Sequence, residues 1–77
     1  MKTKLKELRL QHQMTQEQLA KRITVSSRTI ISLETGKYNP SIMLAYRLAC
    51  VFKLSIEDLF CLQENLEEEE RRNEKNL

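Results

Sequence analysis

Between Ser26 and Asn39 the chain reads SSRTIISLETGKYN. Ile30 and Leu33 stand at i, i+3, the spacing of one buried helix face. Around them Ser27, Arg28, Thr29, Ser32 and Thr35 offer short hydroxyls and a single guanidinium. Short polar side chains let a helix sink into the major groove of a duplex. An arginine can fork onto guanine O6 and N7, serine and threonine can bond either kind of base edge, and an apolar group can meet the thymine methyl. Ile31, off the Ile30/Leu33 face, is either a partly exposed packing residue or such a methyl contact. Phosphates are met by helix N-termini and flanking loops. Gln16, at the start of the preceding helix, and Lys37, Tyr38 and Asn39, after this one, are placed for that.

Other chemistry is poorly supplied. His12 is the single histidine, near a helix end with no nucleophile beside it. There is no acid–base dyad suited to a pocket and no metal-ligand set, so neither an enzyme nor a cofactor site is expected. Cys50 and Cys61 lack a second pair for zinc and read as packing thiols in a reducing compartment. The 77-residue length allows one small domain with a modest core, for which dimerisation is a natural supplement. No apolar run is long enough to span a membrane and no secretory signal is visible, so a cytoplasmic protein is expected. Residues 1–63 carry ten Lys and Arg against five Asp and Glu, whereas residues 64–77 carry three against six. A basic body with an acidic tail favours an anionic partner for the body.

The elements that must position the polar face are helical throughout. A first helix spans about Thr3 to His12, with Leu5 and Leu8 inward. The second starts at Thr15, where TQEQ forms a capping box with Gln18, and Met14 and Leu19 form a hydrophobic staple. The third starts after Ser26, with a Val25–Ile30 staple, and ends at Gly36 as a left-handed C′ residue. The pair, about 15–23 and 27–35, has the length pattern of a helix-turn-helix. Its inner side is Leu19, Ala20, Ile23, Val25, Ile30 and Leu33, and Ala20 marks the close approach of the two helices. The corner residue is Thr24. A β-branched side chain resists φ > 0, so a left-handed corner there carries strain. Ser41 caps a fourth helix with Ala45, Leu48, Ala49 and Phe52 inward. Ser55 caps a fifth, with Ile56, Leu59, Phe60 and Leu62 as its apolar residues. Residues 64–77 are either a charged tail or an extension of helix five, in which Glu67–Arg71 and Glu68–Arg72 are i, i+4 pairs.

The ordered set TQEQLA, VS-x-x-TI, LE-x-GK, NPS and SIEDLF resembles the Cro/C1-type (Xre) helix-turn-helix family over residues 5–60. The resemblance implies an all-α, five-helix, lambda-repressor-like domain over residues 1–63. It implies a transcriptional regulator, most simply a repressor, that binds a palindromic double-stranded DNA operator as a homodimer. By the same resemblance Gln16 contacts a phosphate and orients a base-reading residue. Ser27, Arg28 and Ser32 read bases, and Thr29, beside them on the polar face, is a fourth base-reading candidate. Thr35, Lys37 and Asn39 hold the backbone, and Arg9 pairs with Glu34 as a structural tie. Several relatives carry glutamine where Ser27 sits; the shorter serine side chain shifts more of the discrimination to Arg28 here, and relatives commonly have glycine where Thr24 sits. The dimer surface is expected on helix five, through Phe60, Leu62 and Leu66. The alternatives are an antitoxin-like regulator with a protein partner, and an interaction module without DNA binding.

Overall fold

The computed structural model describes residues 1–75, and Asn76 and Leu77 of the expected tail lie outside them. The described chain is six helices with no strand: α1 Leu5–Gln11, α2 Gln16–Arg22, α3 Ser27–Glu34, α4 Ile42–Phe52, α5 Ile56–Leu59 and α6 Leu62–Lys75. Helix starts follow local chemistry. The Thr15 hydroxyl accepts from the Gln18 amide at 3.0 Å, and the Gln18 side chain accepts from the Thr15 amide at 2.9 Å, closing the capping box. Ser26, Ser41 and Ser55 each accept the backbone N–H three residues on. Each such cap satisfies one of the orphan donors of its helix.

Helix ends follow a second rule, and glycine accounts for only one of them. After α1, α2, α3 and α4 the chain passes through one left-handed residue: Gln13, Thr24, Gly36 and Lys53. In each case the next amide bonds back five residues, as Met14 to the Arg9 carbonyl and Val25 to the Ala20 carbonyl, both at 3.0 Å. The same bonds run from Lys37 to Ser32 and from Leu54 to Ala49. These are Schellman closures, which satisfy carbonyls the helix leaves open.

Thr24 adopts φ +60 and is therefore strained. Ile23 on one side is buried and Val25 on the other packs against the core, which holds the corner in place. Replacing Thr24 by glycine relieves a left-handed, β-branched residue and is expected to stabilise the domain by about 1 kcal/mol. Denaturant melts should show the gain, and DNA selectivity should be unchanged; a less stable Thr24→Gly protein would contradict this account of the corner.

Leu5, Leu19, Ile30, Leu33, Leu48, Leu59 and Phe60 are the largest fully buried side chains. They converge from five helices on one core, completed by Ala20, Ile23, Leu44, Ala45, Ala49 and Phe52. Ala20 is 2% exposed on the helix that packs principally against α3. Its small side chain permits the close approach. His12 stays exposed, its ring in a T-shaped contact with that of Phe52 at a centroid distance of 5.1 Å.

Helix five does not run on into the tail. It ends at Leu59, Cys61 takes φ +49, and α6 starts afresh at Leu62. Burying Phe60 against the core turns the chain here. The Phe60 carbonyl then accepts from Asn65 Nδ2 at 2.7 Å. Leu62 consequently belongs to α6. The expected Glu67–Arg71 and Glu68–Arg72 pairs are not closed, and Glu67 instead accepts from Gln63 Nε2 at 3.2 Å. Solvated pairs of this kind gain too little to hold two long side chains in one geometry.

The first helix is shorter than expected, because residues 1–4 form an arm. The Asn65 amide accepts from the Lys2 N–H at 2.8 Å and donates to the Lys2 carbonyl at 2.9 Å. The Lys4 N–H bonds the Leu59 carbonyl, and the Met1 amine donates to the Gly36 carbonyl at 3.1 Å. The arm thus ties the end of α3 to the start of α6. Lys2 Nζ also lies 2.8 Å from Glu64. That hydrogen bond raises the Lys2 ammonium and lowers the Glu64 carboxyl from their usual values. Its small stabilisation is therefore present at neutral pH, lost as pH falls through the lowered Glu64 value, and lost again above the raised Lys2 value.

Candidate nucleic-acid interface

Behind α3 lies a buried charge pair. Arg9 Nε donates to Glu34 Oε2 at 2.6 Å and Nη2 to Oε1 at 3.2 Å. The Arg9 and Glu34 side chains are 8% and 3% exposed. Arg9 Nη1 donates to the Met14 carbonyl at 2.8 Å, and Gln16 Nε2 donates to Glu34 Oε1 at 3.1 Å. Among the described residues no buried side-chain polar atom lacks a partner. One glutamate at the end of α3 thereby gathers α1, the corner before α2, and the first residue of α2. A bidentate, charge-assisted pair is the strong form of such a tie. Gln16 is anchored by it through one side-chain N–H, which leaves the second N–H and the side-chain carbonyl without a partner among the described residues.

In front of α3 is a shallow cleft of about 230 Å³ lined by Ser26, Arg28, Thr29, Ser32 and Tyr38. Arg28 is exposed, while Thr29 and Ser32 are half-buried. Three of the four base-reading candidates therefore share one surface. Ser27 is half-buried and does not line the cleft. Ser26, read from sequence only as a cap, does line it. Its hydroxyl lies 3.1 Å from that of Thr29 and also holds the Thr29 amide. An N-cap is necessarily at the mouth of its helix, which is the signal that could have placed it. Ile31 is 44% exposed, open enough for an apolar contact.

The phosphate candidates separate. Lys37 and Asn39 are exposed and line a second cleft, shared with Met1, Leu62, Leu66 and Arg72. Thr35 directs its single O–H into its own helix, 3.0 Å from the Ile31 carbonyl and 3.2 Å from that of Ser32. Phosphate oxygens only accept, so Thr35 must turn that hydroxyl outward to reach one. Of the expected dimer contacts, Phe60 is corrected: it is 1% exposed, part of the core, and offers nothing to a second chain. Leu62 and Leu66 are exposed, one turn apart on α6.

The helix-turn-helix family profile matches residues 5–59. The chain belongs to the Cro/C1-type helix-turn-helix family. This Cro/C1-type chain is 55% identical over 64 residues to an HTH-type transcriptional regulator of Archaeoglobus fulgidus, covering 83% of this chain and 90% of that one. It is 49% identical over 65 residues to one of Methanocaldococcus jannaschii, covering 84% and 98%. It is 39% identical over 64 residues to the regulator YgzD of Bacillus subtilis, covering 83% and 97%. Cro/C1-type domains are DNA-binding modules of transcriptional regulators, not an enzyme family. No helix among the described residues is long and apolar enough to cross a membrane.

Proposed function

We propose that this Cro/C1-type chain is a sequence-specific transcriptional regulator, most simply a repressor, that places α3 in the major groove of a palindromic operator. The observation that carries this reading is the cleft along the open side of α3. Arg28, Thr29 and Ser32 converge there, while the Arg9–Glu34–Gln16 cluster holds the helix from behind. Exposed Lys37 and Asn39, in the loop after α3, suit the flanking phosphates, and Gln16 can offer its remaining N–H to another. Phosphate contacts set register and base contacts set sequence.

The regulator acts as a homodimer in this reading. Leu62 and Leu66, 39% and 49% exposed on α6, supply the apolar surface. Two-fold symmetry then demands two half-sites about one helical turn, or a multiple, apart. Sedimentation with selected operator DNA should show two chains per duplex; a single chain at micromolar concentration would exclude the dimer.

Selection from random duplexes tests sequence specificity. It should enrich one motif with dyad symmetry. On that motif Arg28→Ala is expected to cost about 1–3 kcal/mol and to relax preference at one base pair. Lys37→Ala should weaken every duplex alike and flatten the salt dependence. If neither variant changes binding to the selected site, the groove assignment fails.

A further inference from the structure

Tyr38 is expected at a phosphate along with Lys37 and Asn39, yet the fold places it in a different cleft from both. Gly36, at φ +74, ends α3 and turns the chain, and the Lys37 N–H bonds the Ser32 carbonyl at 3.0 Å. Lys37 and Asn39 line the cleft towards α6, whereas Tyr38 joins Arg28, Thr29 and Ser32 in the cleft on α3. Tyr38 is 43% exposed there. A phenol at the rim would meet a phosphate with its hydroxyl alone. Set among base-facing side chains, it presents an apolar ring to whatever enters the cleft. The apolar group that projects into the major groove is the thymine methyl.

We infer that Tyr38 is a specificity-determining residue that reads a thymine methyl beside the bases met by Arg28 and Ser32. This rests on the reading above that α3 enters the major groove. The ring provides the recognition and the hydroxyl is secondary.

The test uses the full chain and the duplex it selects, with each thymine replaced singly by deoxyuridine. Binding is measured for the unaltered protein, Tyr38→Phe and Tyr38→Ala. For one thymine, loss of the methyl should weaken the unaltered protein and Tyr38→Phe about three- to fivefold, the worth of one buried methyl. Tyr38→Ala should bind the two duplexes equally. The inference is overturned if Tyr38→Ala responds to every replacement as the unaltered protein does, or if no replacement affects the unaltered protein. It is likewise overturned if Tyr38→Phe weakens all duplexes to the same extent as Tyr38→Ala, the mark of a hydroxyl on phosphate. Failure of the unaltered chain to select any sequence is a different result: it removes the major-groove reading and this inference with it.

Discussion

Glu34→Ala is expected to destabilise the domain by about 3–5 kcal/mol, the cost of leaving one member of a buried ion pair without its partner. The carboxylate receives three hydrogen bonds, two from Arg9 and one from Gln16, and its side chain is 3% exposed. Removing it strands the Arg9 guanidinium in the core with only the Met14 carbonyl to satisfy it. For a domain of this size the loss is a large part of the total stability. The melting temperature should fall by more than about 10 °C. The double variant Arg9→Met with Glu34→Leu removes the buried charges together, so it should recover a substantial part of the loss. It should not recover all of it, because Gln16 and the Met14 carbonyl lose their partners. A double-mutant cycle in denaturant measures the coupling directly. If Glu34→Ala costs under about 1 kcal/mol, the pair is a solvated one and does not set the position of α3.

Gly36→Ala is expected to cost about 2 kcal/mol or more, from two separable sources. The backbone stands at φ +74, which penalises any residue with a Cβ. An added Cβ would also lie 2.5 Å from the Met1 carbonyl oxygen and 3.0 Å from the Met1 nitrogen. That neighbour is backbone, so the arm itself must move, and the Met1 amine loses the Gly36 carbonyl. Gly36→Asn separates the two, because asparagine tolerates the left-handed region while still carrying the Cβ. It should remain clearly destabilising in thermal melts. A Gly36→Asn protein as stable as the original would show that the arm does not press on this residue. Gln13 and Lys53 make the contrast: both are left-handed without being glycine, and neither position demands the missing Cβ.

What the sequence disclosed, and what it hid, divides by range. The capping box at Thr15 and the caps at Ser26, Ser41 and Ser55 join residues three apart, so composition and spacing suffice to place them. The inner faces of α2, α3 and α4 were legible for the same reason. Helix ends were less so. The Schellman closures at Gln13 and Lys53 are backbone bonds that carry no side-chain signature once glycine is absent. The break at Cys61 was hidden because a continuous helical pattern, Leu59, Leu62, Leu66, runs straight through it. Burial of Phe60 overrides that pattern, which also removes Phe60 from the dimer surface. The clamp of Asn65 on Lys2 joins residues 63 apart and leaves no local trace. The candidate interface was legible as a set of residue types on α3. Its partition was not: Tyr38 facing α3 and Lys37 and Asn39 facing α6 depend on how Gly36 turns the chain.

In the proposed function α3 reads base edges in the major groove, with Arg28 foremost. Methylation protection on the selected duplex tests it most directly, because dimethyl sulfate attacks guanine N7 in the major groove and adenine N3 in the minor groove. With the unaltered protein a guanine N7 in each half-site should be protected, and with saturating Arg28→Ala it should become reactive, while adenine N3 stays reactive in both complexes. Guanines that remain fully reactive in the saturated complex, or protection that survives Arg28→Ala unchanged, would contradict it.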